Sequence, residues 1–118
     1  MREGDQYQVI PSEEQHRSVQ GSVALEGEPY GSGVSLFLID YVRPGEGPKL
    51  HKHPYPETWI VRDGRARFVV ENQTIDAKAG DVLVCAADTA HKFHNVGPGH
   101  LDIICIHPSP RFIQEDLE

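Results

Sequence analysis

The hydrophobic positions of this chain fall in short runs rich in Val, Ile and Phe, and Pro and Gly interrupt the sequence throughout. That patterning favours strands over helices and predicts an all-β protein. Candidate strands are GSVALEG (21–27), GVSLFLIDYVRP (33–44), LHKH (50–53), ETWIVRDG (57–64), RARFVVEN (65–72), QTIDAKAG (73–80), DVLVCAA (81–87), HKFHNVG (91–97) and LDIICIH (101–107). Turn residues separate them at the spacing of a sandwich or barrel. Hairpins are predicted at RDGR (62–65), where Asp63-Gly64 suits a tight turn with positive φ, and at ENQT (71–74). One short helix is predicted in PRFIQEDL (110–117), with Ser109 as its cap and Pro110 in its first turn. Residues 1–20 are polar and carry the weakest pattern.

A length of 118 residues suits one domain with one core. A net charge of -7, with eleven scattered Lys and Arg, argues against nucleic acid and against an anionic membrane surface. No apolar run approaches the ~20 residues that span a bilayer, and the first residues lack the apolar stretch of a secretion signal, so the chain reads as cytoplasmic. Cys85 and Cys105 each sit in an apolar run and read as buried free thiols.

The segment HKHPYPE (51–57) changes the picture, because it sets His51, His53 and Glu57 around two prolines. Side chains alternate along a strand, so His51 and His53 project to one side and can share a target. Pro54 and Pro56 predict a turn that brings Glu57 onto a neighbouring strand. His91, at the start of HKFHN, is a candidate fourth ligand. Phe93 shares its face and His94 points away. Trp59 and Val61 share parity with Glu57 and, with Phe93, are candidate walls of a substrate pocket. His16 and His100 lie in polar segments and read as surface residues.

These two stretches resemble the paired motifs of the cupin superfamily of small β-barrels. The first motif, Gly-x5-His-x-His-x3-Glu-x6-Gly, falls on Gly45, His51, His53, Glu57 and Gly64 without a gap. The second, Gly-x5-Pro-x-Gly-x2-His-x3-Asn, falls on Gly80, Ala86, Asp88, His91 and Asn95, with Ala86 and Asp88 in place of Pro and Gly. The resemblance covers about residues 33–107. It implies a double-stranded β-helix, the jelly-roll barrel, here residues 31–118. It also implies that His51, His53, Glu57 and His91 hold one divalent transition metal ion. Fe, Mn, Ni, Co, Cu and Zn all suit three imidazoles and a carboxylate. Small members of the family pair as homodimers, often by exchanging N-terminal strands, which gives residues 1–30 an expected role as an extension.

A catalytic metal site keeps positions open for a substrate. The resemblance therefore implies an enzyme acting on a small oxygenated organic molecule, with Fe(II)-type dioxygenation as the first expectation. The alternatives are a Lewis-acid isomerase or cyclase on a sugar or polyketide-like compound, or a non-enzymatic module that holds a metal and a small ligand. In the second case His107 or Tyr41 is the candidate acid or base, with Tyr55 a weaker one. The polar residues before the barrel leave no room for a helix-turn-helix domain.

Overall fold

The computed structural model describes residues 2–3, 6–18 and 21–118; residues 1, 4–5 and 19–20, all within the N-terminal extension expected over 1–30, lie outside the described set. Among the described residues twelve strands follow one another: β1 Arg2–Glu3, β2 Gln8–Val9, β3 Val23–Leu25, β4 Ser35–Tyr41, β5 His51–Lys52, β6 Glu57–Asp63, β7 Arg65–Val70, β8 Gln73–Lys78, β9 Val82–Cys85, β10 His91–Asn95, β11 Leu101–His107 and β12 Glu115–Asp116. Among the described residues, the helical elements are two single turns of 3-10 type, Ser12–Glu14 and Glu28–Tyr30. No helix there is long and apolar enough to cross a membrane.

Two five-stranded antiparallel sheets form the barrel, in the orders β12-β5-β10-β7-β8 and β3-β4-β11-β6-β9, and β1 pairs with β2 in a separate ribbon. β11 is the centre of the second sheet, because it runs the whole length of β4, from Leu101 opposite Tyr41 to His107 opposite Ser35, and also pairs with β6. Its alternate residues Leu101, Ile103, Cys105 and His107 are buried, the period-2 pattern of a strand with one face on a core. Trp59, Phe68 and Phe93 fill the barrel's middle, with ring centroids 5.0 Å apart for Trp59 and Phe68 and 5.2 Å for Phe68 and Phe93. These contacts are tilted rather than face to face, as aromatic quadrupoles favour.

The ENQT turn is a hairpin: β7 and β8 pair through to Val70 opposite Gln73. RDGR is not. Asp63-Gly64 does turn with a positive φ of 84° at Gly64, but it passes the chain from one sheet to the other, since β6 pairs with β11 and β9 while β7 pairs with β10 and β8. A Cβ on Gly64 would collide with the backbone carbonyl of His100, so glycine is required there for space as well as for φ. Local turn chemistry was legible, but the choice of partner strand is a property of the closed barrel.

The C-terminal helix is absent as well. Residues 110–114 have no regular structure, and Glu115–Asp116 forms β12 against β5. An isolated helix of eight residues is marginal in water. The extended path instead stacks Phe112 on Phe37 at 4.2 Å and lets Leu117 N–H donate to the Leu50 carbonyl. Ser109 folds its hydroxyl onto the Arg111 carbonyl at 2.6 Å rather than capping a helix. At the other end, β3 lies inside the expected extension and pairs with β4.

Candidate metal centre

Three strands and one turn bring the cluster together. His51 on β5 and His91 on β10 are direct cross-strand neighbours. His53 follows β5 by one residue, and Glu57 opens β6. One ligand atom from each of His51, His53, Glu57 and His91 lies within 4.8 Å of every other, and all four residues are buried. That spread fits a single metal ion bound at about 2.0 to 2.2 Å.

The imidazoles are oriented by backbone carbonyls, which can only accept. His51 Nδ1 donates to Lys49 O at 2.6 Å, His53 Nδ1 to Ile113 O at 2.8 Å, and His91 Nδ1 to Thr89 O at 2.8 Å. In a neutral ring with its one N–H on Nδ1, Nε2 is a lone pair directed inward, the form that binds an ion, while a ring that also carries a proton on Nε2 donates to Glu57. His53 Nε2 and His91 Nε2 each come within 3.1 Å of Glu57 Oε1, and His53 Nε2 is buried without a partner in hydrogen-bond geometry. Converging lone pairs beside a carboxylate are what a cation accepts, and a backbone-held Nδ1–H is the usual outer support of a metal-bound histidine.

The charges agree with this reading. Burial lowers the His51 pKa, against the hydrogen bond to Lys49, and its neighbours His91 and His53 lower it further, so the ring is held neutral. Burial alone would raise Glu57, but contacts from His107, His53 and His91 outweigh it and hold the carboxyl well below its usual range. Glu57 is thus the anionic member of the set.

His107 is also buried and links two groups: its Nδ1 lies 2.6 Å from Tyr55 Oη, and its Nε2 lies 3.2 Å from Glu57 Oε2. Tyr55 in turn stacks on His53, with centroids 5.0 Å apart and planes 9° from parallel. A tyrosine ranked low from the sequence therefore touches both a cluster histidine and the carboxylate's neighbour. The signal was its place between two cluster residues of HKHPYPE, while the contact to His107 spans 52 residues and could not be read locally. Tyr41 sits on β4, where burial and the charges of Cys105 and Glu46 push its phenol up to about 12 from 10, so it stays protonated as a donor.

Beside the cluster lies a cavity of about 140 Å³, lined by Phe37, Ile39, Tyr41, Pro48, His51, Phe93, Cys105, His107 and Gln114. Of the three residues read as candidate pocket walls, Phe93 lines this cavity. Trp59 and Val61 do not: they are 1% and 0% exposed and pack in the core. The barrel is narrow enough for its own side chains to fill it below the site. Trp59 instead sets its ring edge-on to His91 at 5.0 Å. His94 turns away from the cluster, and His16 and His100 are exposed, as their strand parity and polar settings predict. Asp88, at the glycine position of the second motif, adopts φ 57° and its N–H donates to the His53 carbonyl at 2.7 Å. An aspartate tolerates that left-handed conformation, so the loop keeps its shape.

The fold and motifs have known counterparts. The chain is 32% identical over 88 residues to the uncharacterised protein MJ1618 of Methanocaldococcus jannaschii, covering 73% of this chain and 70% of that one. It is 34% identical over 81 residues to the polyketide synthase CurC of Streptomyces cyaneus, covering 68% of this chain and 52% of that protein. Among solved structures, the oxalate decarboxylase of Lactobacillus farciminis in complex with formate aligns at a TM-score of 0.73 and 24% identity, over 87% of this chain and 33% of that one. The Bacillus subtilis oxalate decarboxylase with Mn(II) centres aligns at 0.75 and 21%, over 87% and 29%. The chain thus spans about a third of those decarboxylases and about half of CurC. The Cupin domain family model matches residues 39–107, from β4 through the last residue of β11, and with both motifs inside that span the chain belongs to the cupin family.

Proposed function

We propose that the protein is a metal-dependent enzyme acting on a small, uncharged oxygenated molecule such as an enediol, phenol or β-diketone, with dioxygenation as its reaction. The carrying observation is that His51 belongs both to the four-residue cluster and to the wall of the 140 Å³ cavity. A substrate oxygen held against that wall is next to the cluster, while Phe37, Ile39 and Phe93 keep water from the rest of the molecule. A divalent ion, when bound by His51, His53, Glu57 and His91, would supply Lewis acidity and, as Fe(II), the redox capacity that dioxygen chemistry needs. Tyr41 and His107 offer hydrogen bonds that orient the substrate.

Among the described residues the wall contains no Lys or Arg, so a dianion such as oxalate would have only the bound ion as countercharge, and its far carboxylate would be costly to hold away from water. This favours a neutral substrate over the one named for the structural neighbours. The Mn(II) centres of the Bacillus subtilis enzyme make manganese the second metal to test beside iron.

A second reading, Lewis-acid isomerisation or cyclisation of a polyketide-like compound, draws on the His107–Tyr55 pair, which can carry a proton to or from the cavity, and on the likeness to CurC. Both are tested by loading the protein with Fe(II) or Mn(II) and following catechol, acetylacetone and the triketone heptane-2,4,6-trione, which can cyclise with loss of water, with an oxygen electrode and by chromatography. Oxygen uptake that matches substrate loss supports the first reading. Loss under nitrogen supports the second. Tight binding without loss under any metal overturns both in favour of a binding module.

The proposal extends to the setting. Cys85 and Cys105 are free and buried, in keeping with the cytoplasm. Tyr7 and Val9, at and beside β2, are 64% and 45% exposed, in keeping with an N-terminal ribbon that packs on a second copy in a homodimer. Light scattering that returns one chain's mass would exclude the dimer.

A further inference from the structure

The 140 Å³ cavity falls short of the ~300–1,000 Å³ typical of small-molecule sites. It does not end at its own wall. A second cavity of about 320 Å³, bounded among others by Ser18, Ser22, Ala24 and Glu46, shares Phe37, Ile39 and Tyr41 with the first. These three are alternate residues of β4, so their side chains turn to one face of the strand. Gly47 bounds the outer cavity and Pro48 the inner one, so the two also adjoin along the loop before β5.

We infer that the two cavities are one elongated site whose ligand is a flat molecule with three parts: a chelating oxygen pair at the cluster, a ring system along Phe37, Ile39 and Tyr41, and a hydroxyl-bearing or cationic far end. This rests on the proposed function for its inner end only. The chemistry changes along the length. The inner chamber offers His51 and His107 among apolar walls. The middle is ring and aliphatic surface, and Phe37 is itself braced by Phe112 stacked at 4.2 Å. The outer chamber offers two serines, and among the described residues its one charged wall residue is Glu46, whose Oε1 accepts from the Arg43 N–H at 2.7 Å. A carboxylate tail would face that acid unfavourably, while a phenol or amine would find acceptors.

The test uses calorimetry on protein loaded with Zn(II), which carries out no redox turnover, and three probes: catechol, 4-(4-hydroxyphenyl)catechol and 4-(4-carboxyphenyl)catechol. The hydroxyphenyl probe binds at least tenfold more tightly than catechol, and the carboxyphenyl probe binds at least threefold more weakly than the hydroxyphenyl one. Ala24→Phe, which fills the outer chamber from β3, brings the hydroxyphenyl probe down to the affinity of catechol. Glu46→Gln narrows the gap between the two biphenyls. Should Ala24→Phe fail to fold, Ser18→Leu at an exposed position fills the same chamber. If catechol binds but the hydroxyphenyl probe binds no more tightly, the elongated site is wrong and the proposed function stands. If neither binds, both fall.

Discussion

The carbonyl of Ile113 accepts from His53 Nδ1 at 2.8 Å, across 60 residues of sequence. The C-terminal segment is therefore part of the metal centre's support. It also donates the Ile113 N–H to Tyr55 Oη at 3.3 Å, lines the cavity with Gln114, and pairs Asp116 with His51 through β12. Two of the three cluster histidines are held by residues after 110.

Deleting residues 112–118 should weaken metal binding by about 10–100-fold, the usual cost of removing an outer support of a ligand histidine. Competition with a fluorescent chelator measures this. An affinity equal to that of the full chain would mean that His53 is oriented by its strand alone.

Metal should stabilise the fold in proportion to its binding. With free metal at 100 times its Kd the gain is about 2.7 kcal/mol, or roughly 10 °C in Tm for a domain of this size. Removing metal with a chelator should lower Tm by that amount, whereas the His51→Ala/His91→Ala protein should show no metal-dependent shift. A double mutant that still shifts would place the ion elsewhere.

Much of this was legible in the sequence, and the limits have a physical pattern. β11 matches the LDIICIH run residue for residue, and the cluster follows from strand parity and motif spacing, because both depend on neighbours a few positions apart. What escaped depends on closure of the barrel. The partner of β6, the extended path of residues 110–118, the retreat of Trp59 and Val61 into the core, and the Tyr55–His107 contact are all set by strands distant in sequence. A backbone carbonyl such as that of Ile113 has no residue-type signal at all.

Asn95, the last residue of the second motif, does structural work. It is fully buried, and its Nδ2 lies 3.0–3.2 Å from the carbonyls of Tyr41, Arg43 and Gly99, while Oδ1 accepts from the Gly97 N–H at 2.9 Å. Asn95→Asp replaces the donor with an acceptor facing three carbonyls. The expected cost is at least ~3 kcal/mol, since a buried unsatisfied group costs ~1–3 and a charged one more. Urea unfolding that shows less than 1 kcal/mol would mean that the loops around Arg43 and Gly99 do not depend on this side chain.

Phe68 is 0% exposed between Trp59 and Phe93, beneath the cluster. Phe68→Ala should cost about 3–5 kcal/mol through lost burial and the cavity it leaves. Because Trp59 braces His91, metal affinity should fall with it, measured by the same chelator competition. Unchanged affinity in a destabilised protein would show that the cluster is held by its own backbone hydrogen bonds.

The pH dependence of stability should trace partly to His100, an exposed residue outside the metal site. Its Nδ1 lies 3.0 Å from Asp40 Oδ1 and its Nε2 3.0 Å from Asp63 Oδ2. The hydrogen bond to Asp40, with the charges of Asp40 and Asp63, raises its pKa above 6.5. Asp102 stands in the same group; burial, then the charges of Asp40 and Asp63, raise its carboxyl, with His100 and Arg62 opposing. A histidine with a raised folded-state pKa stabilises fully below its unfolded value, and that contribution fades as pH climbs through the folded value. The Tm difference between wild type and His100→Gln should therefore be largest near pH 6 and shrink toward pH 9, modestly, because the residue is exposed and salt screens it. A difference that grew with pH would mean that the imidazole acts in its neutral form, and NMR titration of His100 would then give a pKa at or below 6.5.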